Sequence, residues 1–279
     1  MFNHNVLCKC FMGALLLIFG QSGQIKAQPS QTLKVMTYNI QIGKPINADI
    51  SDPKTTDLRA TAEVINSSDP DLVALQEVDV YTQRSGTDLH EAKELARLTG
   101  MNYYFAKALD RSGGDYGVAI LSKFPIKKSR TISLPVTEGS DSELRAAAIT
   151  TIEVPGNEDI IFISTHLDHL EEKNRTLQIE TLIEALKGEM KYPIVLAGDF
   201  NTQLQDGSKT MEVLNDQFDP GCTACPNTFS SEKPSRAIDY MFLNKKMTQY
   251  FSISNYEAIE GEYASDHLPV VMTLKKANN

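Results

Sequence analysis

Residues Ile194–Asn201 read IVLAGDFN, an apolar run followed at once by Gly198, Asp199 and Asn201. A short continuous apolar run of this kind is typical of a strand that is buried on both faces. A lone Asp or Asn after a strand usually satisfies backbone donors in the following turn. This segment alone therefore does not indicate a functional site, and the other strand-like segments of the chain have to be considered with it.

Five other strand-like segments carry polar groups at one end: KVMTYNI, LVALQEVD, IIFISTHLDH, AIDYMFL and LPVVMTL. Because buried strands that meet at one edge of a sheet bring their ends together, we expect these groups to form one site. Glu77 fits a turn least well, because it follows LVALQ without a turn residue and a buried, unpaired carboxylate is costly. The groups are Asn39, Glu77, His166, Asp239, Asp266 and His267.

Many short strands and few scattered helices predict stacked sheets with helices on their outer faces. The predicted strands are Leu33–Ile40, Leu72–Gln76, Tyr103–Ala108, Val118–Ser122, Ile126–Ile132, Arg145–Val154, Ile160–Thr165, Ile194–Ala197, Ala237–Leu243, Phe251–Tyr256 and Pro269–Leu274. The predicted helices are Leu58–Ser67, Leu89–Thr99, Arg175–Glu189 and Lys209–Asp216.

The N-terminus predicts a secretory signal peptide. The apolar run FMGALLLIF follows Lys9 and is too short to span a bilayer, which takes roughly 20 residues. Cleavage is expected after Ala27, which leaves residues 28–279 as a single catalytic domain in the periplasm or outside the cell. An uncleaved N-terminal anchor is the alternative.

The charge of the chain bears on its partners. Removal of residues 1–27 takes away Lys9 and Lys26 and moves the net charge from −9 to −11. An acidic protein repels polyanions at long range, which disfavours nucleic acid as a substrate. A local nucleic-acid groove stays open as an alternative.

Cys222 and Cys225 are the two cysteines that remain after cleavage, in the sequence CTAC. In an exported protein, a disulfide that pins the loop is the favoured interpretation, and a free pair is the alternative. Two thiolates without a nearby pair of histidines make a poor zinc site.

The residue types at the strand ends favour magnesium. Carboxylate and amide oxygens suit Mg²⁺, which typically takes one or two carboxylates together with water and substrate phosphate. We expect Mn²⁺ to substitute for it. No Ser, Cys or Lys stands in a convincing nucleophile motif, so direct attack by water on a phosphoester is the simplest mechanism.

The ordered set TYNI, LQEVD, STHLD, GDFN, IDY and SDHLP resembles the endonuclease/exonuclease/phosphatase superfamily. That superfamily includes apurinic endonucleases, pancreatic-type DNases, neutral sphingomyelinases and inositol polyphosphate phosphatases. The match runs from about Leu33 to Leu274. The resemblance implies an α+β fold, a four-layer αββα sandwich of two packed mixed β-sheets flanked by helices, with the site at one sheet edge.

The resemblance also implies roles for the strand-end residues. Glu77 corresponds to the principal metal ligand, with Asn39 beside it and Asp266 as a further contact. Asp199 corresponds to the residue that orients or deprotonates the attacking water, and Asn201 to one that holds water or a phosphate oxygen.

The two histidines have different expected roles. His267 corresponds to the histidine that contacts the scissile phosphate, and Asp239 is expected to keep it in place and charged. His166 corresponds to the second histidine of the DNase, sphingomyelinase and phosphatase branches. Apurinic endonucleases carry Asn there, so His166 argues against that branch.

Two more residues are expected to reach substrate from loops beside the site, Arg84 in VDVYTQRSG and Tyr116 in GGDYGVAILS. Arg145 and Arg175 are expected to be structural. His169 is expected on the opposite face from His166 if the strand continues that far.

The sequence thus predicts a secreted Mg²⁺-dependent phosphodiesterase or phosphatase that acts as a monomer on a small or head-group-sized phosphoester. The mature chain has no Trp and no obvious apolar hairpin, so stable membrane insertion is not expected. A metal-dependent endonuclease (DNase) and a non-catalytic binding protein on the same scaffold are the alternatives.

Overall fold

The computed structural model describes residues 1–2, 32–204, 207–261 and 263–277. The signal peptide predicted for residues 1–27 therefore lies almost wholly outside the described residues. Within the described ranges, no helix has both the length and the apolar composition of a membrane span.

The described residues form twelve strands and five α-helices. The strands are β1 (Thr32–Asn39), β2 (Leu72–Val80), β3 (Asn102–Arg111), β4 (Gly114–Ser122), β5 (Ile126–Leu134), β6 (Arg145–Ile152), β7 (Ile160–His166), β8 (Ile194–Asp199), β9 (Phe218–Pro220), β10 (Asp239–Asn244), β11 (Phe251–Ala258) and β12 (Val270–Lys276). The helices are α1 (Leu58–Ser68), α2 (Glu91–Thr99), α3 (Glu172–Leu186), α4 (Lys209–Asn215) and α5 (Lys245–Tyr250).

Two six-stranded sheets pack face to face. The first has the order β11-β12-β1-β2-β4-β3 and the second β5-β6-β7-β8-β10-β9. One apolar cluster fills the space between the sheets, a second joins the first sheet to α1 and α2, and a third joins the second sheet to α3 and α4. The predicted four-layer α+β sandwich is confirmed.

The strand directions explain why the polar groups meet. Each sheet contains one central parallel pair, β1 with β2 and β7 with β8, so the carboxyl ends of each pair lie at the same edge. Strands β10 and β12 run antiparallel to β8 and β1, so their first residues come to that edge. In the second sheet Asp199 is flanked by His166 on one side and Asp239 on the other.

Two elements differ from the prediction near the site. Strand β2 does not end at Gln76, as predicted, but continues to Val80, through a register shift between Leu75 and Val78 in its pairing with β4. Glu77 occupies that irregularity with a φ of 54°. Strand β4 begins at Gly114, so Tyr116 lies in a strand and not in a loop as predicted.

The helices and the cysteines complete the comparison with the prediction. Helix α3 begins at Glu172, three residues early, and buries the amides Asn174 and Gln178 together with Ile179, Leu182 and Leu186. The short elements β9 and α5 were not predicted. Cys222 and Cys225 form a disulfide, the favoured of the two interpretations.

A buried amide joins the two sheets just below the site. Gln76 donates from Nε2 to Ser164 Oγ at 3.2 Å, and Ser164 Oγ donates to the carbonyl of Leu75 at 3.0 Å. Thr37 Oγ1 donates to Gln76 Oε1 at 3.3 Å. These bonds link β2 of one sheet to β7 of the other.

We expect Gln76→Leu to lower the free energy of unfolding by about 1–3 kcal/mol, because it leaves the buried Thr37 hydroxyl without an acceptor. Urea unfolding measures the change. Gln217→Leu, at an exposed amide, is the control and should change stability by no more than about 0.5 kcal/mol. Equal small changes in both variants would show that this inter-sheet link is unimportant for stability.

Candidate active site

A cleft of about 430 Å³ opens at the edge where the strand ends meet. It is lined by Glu77, Arg84, Arg111, Tyr116, Glu143, Arg145, His166, His169, Asp199, Asn201, Phe229, Arg236, Ile238, Asp266 and His267. Eight of the ten residues predicted for the site line it directly. The other two, Asn39 and Asp239, are buried behind it and bonded to lining residues.

Asn39 lies at the centre of the site. Its Nδ2 donates to Glu77 Oε1 at 3.0 Å and to Asp199 Oδ2 at 3.1 Å, and it lies 3.5 Å from His267 Nε2. Its backbone carbonyl accepts a 2.7 Å bond from Ser265, which ties the end of β1 to the loop before β12. One amide thus fixes side chains from both sheets.

Glu77 and Asp266 form a half-buried acidic pair. Burial raises the pKa of Asp266, and the charge of Glu77 raises it further although His267 opposes the rise. In the described part of the chain, no Lys or Arg nitrogen lies within 4.0 Å of either carboxylate. Two such carboxylates fit a hard divalent cation.

A second acidic group lies deeper. Asp199, Asp239 and His267 each place one candidate ligand atom within 4.8 Å of the others. All three residues are buried, and Asp239 Oδ2 already holds His267 and Thr228, although Asp239 Oδ1 has no hydrogen-bond partner. We therefore favour the exposed side of the site, at Glu77, for the cation.

His267 is held by a carboxylate. Its Nδ1 lies 2.9 Å from Asp239 Oδ2, and its ring packs on Phe229 with the centroids 4.9 Å apart. Burial alone would lower the pKa of His267, but Asp239, Asp199 and Asp266 together outweigh burial and raise the pKa to about 10. His267 is an imidazolium at neutral pH.

Asp199 ends β8 where the chain approaches β7 closely. A Cβ on Gly198 would lie 2.0 Å from the carbonyl oxygen of Thr165, so the glycine of GDFN is required by this contact. Asp199 Oδ1 accepts from the backbone N of Asn201 at 2.9 Å. Burial and the charge of Asp239 raise the pKa of Asp199 to about 7, near the value that suits a general base.

His166 lies on the other side of Asp199 and has the opposite charge state from His267. Its Nε2 is 3.6 Å from Asp199 Oδ2 and 3.0 Å from Asn201 Nδ2. Burial, and then the charge of Arg145, lower its pKa well below the usual value. His166 is therefore neutral at neutral pH.

Arg84 and Tyr116 both line the cleft. Arg84 donates two bonds of 2.8 Å to the buried Asp79, and its guanidinium lies 5.3 Å from the centroid of the Tyr116 ring. Burial raises the pKa of Tyr116, so it keeps its proton. Both side chains are held rigidly at the rim of the site.

Seven lining residues lie outside the predicted set: Arg111, Glu143, Arg145, His169, Phe229, Arg236 and Ile238. His169 lines the cleft because β7 ends at His166 and the following turn is fixed by Asp168, whose carboxylate accepts from the backbone N of Leu170 and of Glu171. Arg145 was expected to be structural, yet it begins β6 at the same edge. The available signal was its position, since Asp239 also begins a strand. Arg236, which lies over Phe229, was not predicted.

A two-sheet sandwich with acidic, amide and imidazole groups at one edge is suited to the metal-assisted hydrolysis of phosphoesters. Residues 36–267 match the model of the Endonuclease/Exonuclease/phosphatase family, and the chain belongs to that family. The family is metal-dependent, in agreement with the acidic groups of the cleft. No curated protein sequence matches the chain.

Solved structures share the fold at low sequence identity. An endonuclease/exonuclease/phosphatase from Beutenbergia cavernae DSM 12333 superposes with a TM-score of 0.72 at 23% identity, over 89% of this chain and 72% of that one. The mannosyl-6-phosphatase Bt3783 of Bacteroides thetaiotaomicron VPI-5482 gives 0.68 at 19%, over 87% and 99%. The catalytic domain of human Nocturnin, with bound sulfate, gives 0.65 at 20%, over 88% and 95%.

Proposed function

We propose that this chain is an exported, Mg²⁺-dependent hydrolase of small or head-group-sized phosphoesters, in which water attacks phosphorus directly. The observation that carries the proposal is the position of Asp199. It lies 3.6 Å from the neutral His166 and 3.8 Å from the charged His267, beside the acidic pair that suits a cation. Export rests on the N-terminal sequence alone.

Glu77 is the main charged ligand in this proposal, with Asn39 and Asp266 beside it. Mg²⁺ held there supplies polarisation of a phosphoryl oxygen, and Mn²⁺ is expected to serve as well. The positive φ of Glu77 places its carboxylate next to the Asn39 amide. A non-glycine residue in that conformation costs of order 1–3 kcal/mol, which is consistent with a functional constraint.

Asp199 orients the attacking water and accepts its proton. Its raised pKa keeps it basic enough for this role, and its bond to the Asn201 backbone fixes the carboxylate plane. Asn201 has a φ of 51°, which turns its amide toward His166. That amide is placed to hold the water or a phosphoryl oxygen.

The two imidazoles stabilise the phosphoryl group as charge develops on it. His267 brings a positive charge that Asp239 maintains, and His166 contributes a neutral ring held by Asn201. No nucleophilic side chain is required. A non-catalytic binding protein on this scaffold is disfavoured because the whole polar set is present and mutually bonded.

The cleft favours a small substrate. Its volume of about 430 Å³ suits a head group or sugar phosphate. The chain as a whole has a net charge of −9, which opposes the approach of a long polyanion. The fold shared with a mannosyl-6-phosphatase supports the same substrate size. A DNase is the second candidate, because arginines line the cleft.

A salt series distinguishes the two candidates. We expect the efficiency on p-nitrophenyl phosphoesters to vary little between low and physiological salt, and plasmid DNA to be cleaved slowly. Efficient nicking of plasmid DNA that falls steeply with salt would indicate several released counterions. The nuclease would then replace the small-substrate hydrolase. No metal-dependent turnover of any of these substrates would favour the binding protein.

A further inference from the structure

Four arginines line the cleft, but two of them are already neutralised and Arg236 is exposed to water, which solvates its charge. Arg84 is bound by Asp79 through two 2.8 Å bonds. Arg111 is paired with Glu143, itself a lining residue. Neither guanidinium requires a further anion.

Arg145 differs from these two. Its side chain is 4% exposed, and no carboxylate lies within 4.0 Å of it among the residues that the structure describes. Its Nε has no hydrogen-bond partner. Nη2 lies 3.1 Å from His169 Nδ1 and Nη1 lies 3.4 Å from His166 Nδ1, and both rings are poor substitutes for a carboxylate.

The surroundings of Arg145 do not resemble those of a structural arginine in this chain. Arg175 on α3 pairs with Glu172 and donates to the backbone carbonyl of Asp168. A buried cation without such partners is costly, unless an anion binds beside it. The missing negative charge can come from the substrate, because Arg145 lines the cleft.

The other charges of the site do not fill this role. Glu77 and Asp266 face the proposed cation, and Asp239 is bonded to His267. A cation at Glu77 and the imidazolium act on any phosphoester, since monoesters and diesters both carry a negative oxygen. Arg145 supplies one further positive charge, which matches the second negative charge of a monoester. A phosphomonoester carries this second charge at pH values above its second pKa, which is about 6.

We propose that Arg145 is a specificity-determining residue that makes this site select phosphomonoesters over phosphodiesters. The inference rests on the proposed function, because it places the scissile phosphate beside His166. Arg145 acts by its charge and, through its contacts with His166 and His169, by positioning those rings.

The test compares p-nitrophenyl phosphate with bis(p-nitrophenyl) phosphate in Mg²⁺ at pH 8. We expect the wild type to favour the monoester. Arg145→Gln should lower kcat/KM for the monoester roughly 30-fold more than for the diester, or about 2 kcal/mol at 1.4 kcal/mol per tenfold. Arg145→Lys keeps the charge without the planar fork, so it should keep the preference and lose rate on both substrates.

The matched control is Arg130→Gln. Arg130 lies on the adjacent strand β5 and pairs with Glu189 outside the cleft. Its replacement removes the same charge from the protein and should leave the ratio of the two efficiencies unchanged. Circular dichroism establishes that each variant is folded. If Arg145→Gln does not fold, Arg145→Lys and the wild-type selectivity decide the outcome.

A second measurement does not need turnover. Isothermal titration at pH 8 compares inorganic phosphate, mostly a dianion, with dimethyl phosphate, a monoanion. The wild type should bind phosphate more tightly, and Arg145→Gln should lose most of that difference. Equal losses on both substrates, or equal binding of both anions by the wild type, would overturn the role of Arg145. An absence of metal-dependent hydrolysis would refute the proposed function, and the titration would still test the residue.

Discussion

Glu77→Gln is expected to abolish most activity, with kcat/KM lowered by about 10³-fold or more. The metal ion supplies several kcal/mol of transition-state stabilisation, and each 1.36 kcal/mol corresponds to about tenfold in rate. The amide keeps the shape of the side chain and an oxygen that can accept from Asn39, but it removes the main charge from the proposed metal site. Steady-state kinetics measure the loss, and isothermal titration with Mg²⁺ should show weakened metal binding.

The control for this change is Glu212→Gln on α4, an exposed carboxylate paired with Lys209. It should behave as the wild type in both measurements. Both proteins should unfold at wild-type denaturant concentrations, because neither position is part of a packed apolar cluster. Full turnover in excess EDTA, or wild-type kinetics in a folded Glu77→Gln protein, would remove Glu77 from metal binding.

His267→Ala is expected to lower kcat by roughly 10²-fold or more, by analogy with the loss of one oxyanion donor. Asp239→Asn should produce a smaller loss, because Asp239 acts through the ring of His267 at 2.9 Å. The double variant should be no slower than His267→Ala alone. Two effects that multiply would show that the residues act independently.

The same pair has a pH signature. In the wild type Asp239 keeps the pKa of His267 at about 10 in spite of burial, so the charged ring is lost only as the pH rises through that value. In Asp239→Asn burial lowers the pKa without this opposition. The alkaline limb of the pH profile of kcat/KM should therefore move to lower pH. An alkaline limb that stays in place would separate His267 protonation from Asp239.

The sequence was sufficient to predict the groups that terminate or begin buried strands. Apolar runs fix where such strands lie, and parallel pairing then brings Asn39, His166 and Asp199 to one edge. Asp239 was found for the same reason, since it is the first residue of β10 and pairs with Asp199, the last residue of β8. These are consequences of local patterning together with a small number of allowed sheet arrangements.

Residues whose position depends on an irregularity could not be placed in this way. The continuation of β2 beyond Gln76 depends on its pairing with β4. Val78 pairs with Gly117, which is 39 residues further along the chain, and the register shifts between Leu75 and Val78. His169 reaches the cleft because a turn, not a strand, follows His166. Arg145 has no carboxylate neighbour among the described residues, and only the assembled cleft reveals this.

The division of the site between two sheets has a consequence for how the chain matures. Asn39 and Glu77 belong to the first sheet, whereas His166, Asp199 and Asp239 belong to the second. Neither sheet contains a complete reaction centre, however well it is formed by itself. A partly folded chain in which the two sheets have not packed together therefore lacks the complete set of catalytic groups. Catalytic activity requires both sheets to be formed and packed.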